Sequence, residues 1–209
     1  MKTYEPKPLF LERMKKLLGK EMQAYLEILK KPVANSIRCN TLKISPEELM
    51  KRLKSKGWNV VQPFKNYPEI IIVKGKFANG KNNNSSVKND YQPASDSERK
   101  LVDLEPGELG RSIEHLLGYY YVQEIASMLP VLALKPEPGQ LVLDIAAAPG
   151  SKTTQIAAAM KNTGTIIAND VNLKRLKILA SNMERCGVKN VIIKKKDGIV
   201  FCKNFKEAN

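Results

Sequence analysis

A loop of small residues follows an apolar segment in LVLDIAAAPGSKT, residues 141–153. The apolar segment has the composition of a buried strand and ends at Asp144. Ligands of parallel α/β sheets bind at the carboxyl ends of strands, and small side chains there let a ligand approach the backbone. We therefore predict a ligand site formed by the residues of this loop, namely Ala146, Ala147, Ala148, Pro149, Gly150, Ser151 and Lys152.

Phosphate groups match this loop poorly. A phosphate-binding P-loop would need glycine at Ala146 and Ser151, so GSKT matches that motif only in part. A dinucleotide-binding loop needs GxGxxG, whereas this loop contains the single glycine Gly150. Both alternatives are disfavoured, which leaves a ligand without phosphates.

Two carboxylates follow the next two predicted strands. Asp170 lies 20 residues after Gly150 and closes TIIAND, where a carboxylate can accept hydrogen bonds from ribose hydroxyls. Asp197 follows NVIIKKK, where a carboxylate could hold an adenine amino group. Each could instead cap a helix or close a turn. Together with the one-glycine loop, they fit S-adenosylmethionine as the cofactor.

The elements that must position these residues alternate between strand and helix. LVLDI, TIIAND and NVIIKKKD are predicted strands, and the helices TTQIAAAM and NLKRLKILASNMERCG lie between them. This alternation predicts a parallel sheet of the α/β class. Only three such strands can be identified in the sequence.

The preceding part of the chain has a different pattern. Apolar residues recur at helical spacing between Pro8 and Pro32, which predicts an amphipathic helix with one buried face and a break near Gly19. SIRCNTLKI, WNVV and PEIIIV are strand patterns, and SPEELMKRLKSKG has the cap residues of a helix from Ser45 to Gly57. This β-α-β-β order predicts a small α+β module.

Composition predicts the domain organisation and the partner. Residues 75–100 are rich in Gly, Asn, Ser and Lys and predict a polar linker between an amino-terminal module, 1–74, and a sheet domain, 101–209. The net charge is +14, and residues 1–100 hold 21 Lys and Arg against 10 Asp and Glu. This asymmetry favours an RNA partner for the amino-terminal module, although a basic solvated surface is the alternative.

Other features exclude several protein classes. The longest apolar stretch, Ile125 to Leu134, is about half of the roughly 20 residues that span a bilayer, so we expect no membrane partner and a cytoplasmic protein. Cys39, Cys186 and Cys202 are odd in number and widely spaced, which predicts neither disulfides nor a metal site.

Several longer segments resemble a known family. LGYYYVQEIASMLP, LDIAAAPGSKTTQIA and TIIANDVNLKRLKILASNMERCGVKN are similar to successive motifs of the NOP/Sun (RsmB-like) family of RNA cytosine-C5 methyltransferases, and most similar to its archaeal and eukaryotic tRNA-modifying branch. IRCNTLKISPEEL resembles the amino-terminal module of that family. The resemblance implies a class I methyltransferase, Rossmann-like sheet and RNA, most simply tRNA, as substrate. It also implies S-adenosylmethionine contacts from Ala146–Lys152, Asp170 for the ribose, Asp197 for the adenine region, and Arg175.

The resemblance also implies catalytic groups that residues 1–209 lack. Family members use a cysteine thiolate that attacks carbon 6 of cytosine, from Pro-Cys and Thr-Cys segments, and neither dipeptide occurs here. We therefore assign no catalytic residue. We expect the amino-terminal portion of a longer or split enzyme, inactive alone and completed by a second polypeptide. A noncatalytic RNA-binding protein of the same fold is the alternative, and the basic module disfavours a small-molecule methyltransferase.

A tyrosine cluster lies within the first of these motifs. Tyr119, Tyr120, Tyr121 and Gln123 would line the cofactor side of the site by resemblance, whereas a tyrosine cluster next to an apolar helix is also typical of core packing. The sequence leaves both interpretations open.

Overall fold

The computed structural model describes residues 6–30, 33–78 and 100–206, in two compact units that divide between Ala34 and Asn35. The first unit contains α1 (Pro8–Leu18), a 3-10 turn (Gly19–Glu21) and α2 (Met22–Leu29), which confirms the predicted helices and their break. None of the residues of α1 and α2 is buried, so the predicted buried face is wrong. Two helices of 11 and 8 residues offer each other too little surface to enclose a core.

The second unit begins with a five-stranded antiparallel sheet. Helix α3 (Pro46–Ser55) packs Leu49 and Leu53 into the core of this sheet. The hydroxyl of Ser45 accepts a hydrogen bond from the Glu48 N–H at 3.2 Å, as the predicted cap requires. The strands are β1 (Ser36–Cys39), β2 (Trp58–Val61), β3 (Ile70–Phe77), β4 (Leu101–Val102) and β5 (Tyr120–Val122). Their order in the sheet is β2-β3-β1-β5, with β4 paired to β3.

This sheet includes strands from both sides of the predicted domain boundary. Strands β4 and β5 follow the predicted linker, yet β4 pairs with β3 and β5 pairs with β1, with Ile37 opposite Val122. Strand β3 also continues to Phe77, inside the predicted linker 75–100, and residues 79–99 lie outside the described residues. Residues on both sides of the linker therefore build one sheet, because β5 satisfies the backbone hydrogen bonds of one edge of β1.

Strand β1 is shorter than the predicted strand SIRCNTLKI. It ends at Cys39 because Asn40 begins a turn, in which its side-chain oxygen accepts a hydrogen bond from Leu42 N–H at 3.3 Å. The amide nitrogen of Asn40 donates to the carbonyls of Gly118 and Cys186, each at 2.8 Å. The turn thus joins the antiparallel sheet to the helix that ends at Cys186.

The second sheet is parallel and contains, in this order, β6 (Leu141–Asp144), β7 (Thr165–Asn169) and β8 (Val191–Lys194). It confirms the predicted α/β class, and its strands and helices lie where the sequence predicts them. Within the described residues, β6 and β8 each pair only with β7. The helices that follow the three strands are α7 (Ser151–Ala159), α8 (Leu173–Cys186) and α9 (Gly198–Lys206).

Three further helices lie between β4 and β6. They are α4 (Glu108–Arg111), α5 (Ile113–Leu116) and α6 (Ile125–Leu134). Helix α6 is strongly apolar and contains Pro130. Neither α6 nor any other helix in the described ranges combines the length and the apolar character needed to cross a bilayer.

Candidate functional site

The predicted ligand loop connects β6 to α7. Its backbone folds back on itself, because Gly150 N–H donates to the Ala147 carbonyl at 2.8 Å. Ala147 N–H donates to the Asn169 carbonyl, also at 2.8 Å, which attaches the loop to the end of β7. Gly150 is the N-cap of α7 with φ +108°, a conformation that L side chains rarely adopt.

The small side chains of this loop are required by protein packing as well as by any ligand. Ala147 and Ala148 are buried in a cluster with Leu179 and Met183 of α8. A Cβ atom at Gly150 would lie 2.6 Å from Met183 Cε and 2.9 Å from Leu179 Cδ1. In this loop Ala146 and Pro149 are exposed, whereas the side chains of Ala147 and Ala148 pack against α8. The predicted approach of a ligand to the backbone of these residues stays a prediction.

Asn169 holds the carboxyl ends of the three parallel strands together. Its amide nitrogen donates to the carbonyls of Ile145 and Lys196, each at 3.0 Å, and its side-chain oxygen accepts the Lys196 N–H at 2.9 Å. The sequence interpretation missed this residue. A buried amide at the last position of an apolar strand is the signal that could have indicated it.

Asp170 follows Asn169 and is almost completely buried, with 2% of its surface exposed. Its Oδ1 accepts the Asn172 N–H at 2.9 Å. Its Oδ2 lies 3.0 Å from Arg175 Nη1 but, among the described residues, accepts no hydrogen bond with acceptable geometry. A buried carboxylate oxygen in this state still has hydrogen-bonding capacity for donors such as ribose hydroxyls.

Arg175 is half-exposed, and its guanidinium contacts two parts of the site. Its guanidinium pairs with Asp170 and donates through Nη2 to the carbonyl of Ala148. The side chain therefore links the carboxylate at the end of β7 to the loop after β6. This geometry gives Arg175 a structural role in the site, and its predicted contact with the cofactor stays a prediction.

Asp197 lies in an open groove next to the loop. Its Oδ1 accepts hydrogen bonds from Ile199 N–H at 2.9 Å and Val200 N–H at 3.1 Å, so it also caps α9. The side chain of Asp197 is exposed, so it caps α9 and also borders the groove. The groove has a volume of about 520 Å³ and is lined by Ile145, Asp197, Gly198, Ile199, Cys202 and Lys203.

Arg38 reaches the first turn of α7 from strand β1 of the antiparallel sheet. Its guanidinium donates to the Ser151 carbonyl and to Thr154 Oγ1, each at 2.7 Å, and to Gln123 Oε1. Only 2% of the residue is exposed, and burial lowers the pKa of Arg38 to about 10. The sequence analysis did not single out Arg38, although a cation in a strand whose four residues are all buried is a usable signal.

The tyrosine cluster divides between its two interpretations. Tyr120 is buried and donates to the Leu109 carbonyl at 2.6 Å, which is core packing. Tyr121 contacts the candidate site, since its hydroxyl donates to the Pro149 carbonyl at 3.4 Å and accepts from Asn182 Nδ2 at 3.2 Å. Gln123 is buried and binds Arg38.

Catalytic and metal chemistry have no visible centre in this part of the chain. In the described residues, no group of three His, Cys, Asp or Glu side chains is arranged to hold a metal ion. Burial raises the pKa of Cys39 to about 12 and raises the pKa of Cys186 above its ordinary value, which disfavours a thiolate at either position. The geometry instead suits a nucleoside ligand held across the ends of three parallel strands.

Two family models match this chain. Residues 131–208 match the model described as 16S rRNA methyltransferase RsmB/F, and residues 7–66 match that of the N-terminal domain of 16S rRNA methyltransferase RsmF. The chain belongs to the RsmB/F (NOP/Sun) family. The resemblance predicted from the motifs is therefore confirmed at the level of the family.

Curated relatives carry the name ribosomal RNA small subunit methyltransferase F. The protein of Vibrio parahaemolyticus is 38% identical over 196 residues, which cover 92% of this chain and 35% of that protein. The chain thus spans about a third of the length of the curated relatives it matches. The archaeal tRNA-type branch suggested by the sequence stays a prediction.

Solved structures show the same fold. A methyltransferase homolog protein from Pyrococcus horikoshii has a TM-score of 0.73 and 33% identity, covering 96% of this chain and 56% of that chain. NSun6 from Pyrococcus horikoshii with SFG has a TM-score of 0.72 and 26% identity, covering 92% of this chain and 65% of that chain. These likenesses confirm the class I methyltransferase-like fold of the RsmB/F family.

Proposed function

We propose that this chain forms the cofactor-binding and RNA-facing part of an S-adenosylmethionine-dependent RNA cytosine-C5 methyltransferase. The observation that carries the proposal is the buried Oδ2 of Asp170, which accepts no hydrogen bond from the described residues and lies at the end of the strand next to the loop. Ribose hydroxyls are suitable donors for this oxygen. Membership of the RsmB/F family and a neighbour determined with SFG, an analogue of S-adenosylmethionine, support the same ligand.

The proposed site divides the cofactor among three strand ends. Ala146–Lys152 would hold its amino-acid part, Asp170 its ribose, and the groove beside Asp197 its adenine, with Arg175 supporting Asp170. S-adenosylmethionine supplies an electrophilic methyl group, and burial disfavours the thiolate that cytosine needs at Cys39 and Cys186. We therefore propose that the thiolate comes from Pro-Cys and Thr-Cys segments outside residues 1–209, in the same protein or in a second polypeptide.

RNA is the proposed substrate. The exposed lysines of α3 and β3, Lys51, Lys54 and Lys74, form no ion pair among the described residues and can meet phosphates. The sequence resemblance favours tRNA, whereas the curated relatives are named for small-subunit ribosomal RNA. We take ribosomal RNA as the first substrate, because those relatives match 92% of the chain. Both RNAs occur in the cytoplasm, the proposed location.

Calorimetry and methyl transfer test this proposal together. We expect the 209-residue protein to bind one S-adenosylmethionine and to transfer no methyl group to ribosomal RNA or tRNA by itself. Transfer to cytosine should appear when a polypeptide carrying the Pro-Cys and Thr-Cys segments is added. Absence of cofactor binding would overturn the proposal, and salt-dependent RNA binding with no transfer under any condition would favour the noncatalytic alternative.

Alkylation of cysteine tests where the adenine groove lies. Cys202 is partly exposed and lines the groove, whereas Cys39 and Cys186 are buried. We expect iodoacetamide to modify Cys202 of the native protein first and S-adenosylhomocysteine to slow this reaction, as measured by mass spectrometry of the cysteine peptides. The control is the denatured protein, in which S-adenosylhomocysteine should leave the alkylation rates of Cys39, Cys186 and Cys202 unchanged. A slower reaction there would mean that the ligand consumes the reagent. An unchanged rate at Cys202 with saturating ligand would contradict this position for the adenine.

A further inference from the structure

We propose that Arg38 is a positioning residue for the amino-acid end of the cofactor, although it lies in the antiparallel sheet and not in the cofactor loop. This inference rests on the proposed function. It means that β1 helps the site to prefer ligands that carry the amino-acid part, because Arg38 holds the first turn of α7. The loop motif alone does not indicate this role.

The geometry of Arg38 fixes the backbone of this turn. Its Nη1 donates to the Ser151 carbonyl, and its Nη2 donates to Thr154 Oγ1. The Thr154 hydroxyl in turn lies 2.8 Å from the Gly150 carbonyl and 3.0 Å from the Ser151 carbonyl. The guanidinium and the hydroxyl therefore hold two successive carbonyls at the start of α7, and with them the direction of the N–H groups that point out of the helix end.

The protein compensates the charge of Arg38 only from a distance: Glu69 acts on it from beyond ion-pair range, and its guanidinium carbon lies 5.6 Å from the centroid of the Tyr121 ring. Arg38 takes part in none of the ion pairs of the described residues, and its Nε is buried without a hydrogen-bond partner. A cation near a helix N-terminus is also opposed by the helix dipole. The first turn of α7 contains no acidic residue and carries a second cation, Lys152. The arrangement is thus costly to the protein alone.

An anionic group at the N-terminus of α7 would offset this cost. The nearby carboxylate of Asp144 is already engaged, since it accepts a hydrogen bond from Thr153 Oγ1 at 2.8 Å. S-adenosylmethionine has a single carboxylate, on its amino-acid part, and helix N-termini bind such groups through backbone N–H donors and the dipole. Arg38 acts through the turn and its charge, because its Nη1 and Nη2 groups already donate to Gln123, Ser151 and Thr154.

Two ligands separate this role from general stabilisation. S-adenosylhomocysteine carries the amino-acid part, whereas methylthioadenosine has the same nucleoside and sulfur without the carboxylate. We expect Arg38→Met to weaken binding of S-adenosylhomocysteine about tenfold, because the backbone N–H groups that would hold its carboxylate lose their fixed direction and a nearby positive charge, and to leave methylthioadenosine binding unchanged within error. Calorimetric titration of both ligands, well below the unfolding temperature, measures the difference.

A second pair of variants tests the inference if Arg38→Met does not fold. Thr154→Val removes the hydroxyl that Arg38 Nη2 contacts while keeping the shape of the side chain, and Thr154→Ser keeps the hydroxyl. We expect Thr154→Val to show the same selective loss for S-adenosylhomocysteine in weaker form, and Thr154→Ser to restore it. Equal behaviour of the two variants would overturn the role of this hydrogen bond.

A matched control removes another buried charge of the same unit. Glu114 is 1% exposed and pairs with Lys56 and Arg52, away from the cofactor loop. Glu114→Gln should lower the unfolding temperature and leave the affinities for both ligands unchanged. If Arg38→Met weakens both ligands equally, or neither, the inference fails while the proposed function stands. If the unaltered protein binds neither ligand, the proposed function itself fails.

Discussion

Replacing Gly118 by alanine is expected to destabilise the protein by about 3 kcal/mol or more. Gly118 has φ +72°, where a side chain costs ~1 kcal/mol. Its added Cβ would also lie 2.0 Å from the carbonyl oxygen and 2.8 Å from the carbonyl carbon of Arg185. These are backbone atoms at the end of α8, which cannot move aside as a side chain can, so overpacking adds a further ~2 kcal/mol. Denaturant unfolding measures the change in the free energy of unfolding.

Gly107→Ala is the matched control for this substitution. Gly107 has nearly the same backbone conformation, φ +77°, but an added Cβ would meet no atom within 4 Å. We expect a loss of ~1 kcal/mol there, from the backbone conformation alone. Equal losses at the two positions would contradict the close approach of the β5 segment to α8.

The contacts around Gly118 explain how the packing of the segment before β5 against the end of α8 affects the candidate site. Lys43 Nζ donates to the Leu117 carbonyl at 2.9 Å and to the Arg185 carbonyl at 2.7 Å, and so caps the end of α8 from the turn after β1. Asn182, one turn earlier in α8, donates to the Pro149 carbonyl of the cofactor loop at 2.9 Å. The antiparallel sheet, α8 and the loop are therefore connected by direct hydrogen bonds.

Local patterns in the sequence predicted the local elements of this fold well. The helix α3 has its cap at Ser45 and a left-handed residue at Gly57, because both signals act within one turn of the helix. The three parallel strands were recognised from apolar runs that alternate with helices. Asp170 and Asp197 were located at strand ends for the same reason, since strand ends follow directly from the strand pattern.

Long-range contacts could not be predicted in this way. The pairing of β5 with β1 joins Tyr121 to Arg38, residues separated by the long polar segment, and nothing in the local pattern specifies that register. The role of Arg38 likewise depends on Ser151 and Thr154, more than a hundred residues further along the chain. The packing of Ala147 and Ala148 against α8 is a further long-range contact that the loop sequence does not specify.

Asp170→Asn is expected to weaken S-adenosylmethionine binding on the order of 100-fold, the effect of losing two hydrogen bonds from ribose hydroxyls to a charged acceptor. Asparagine keeps an oxygen that can accept the Asn172 N–H, so the turn after β7 should persist. Calorimetric titration measures the affinity, and thermal unfolding without ligand checks the fold.

Asp197→Asn is the matched control at the neighbouring strand end. Its exposed carboxylate already accepts two backbone N–H groups, and we expect a smaller loss there.

The ribose assignment of Asp170 has a sharper test in which the ligand also changes. 2′,3′-Dideoxyadenosine lacks the 2′ and 3′ hydroxyls of the ribose. Its affinity can be compared with that of adenosine by competition against S-adenosylhomocysteine. In the unaltered protein, adenosine should bind more tightly, because its hydroxyls can donate to the buried Oδ2 of Asp170. In Asp170→Asn the two nucleosides should bind alike, which makes the substitution and the missing hydroxyls non-additive. If the variant still preferred adenosine, the ribose hydroxyls would contact another group. Asp170 would then affect cofactor binding only indirectly, through Arg175 and the loop that Arg175 contacts.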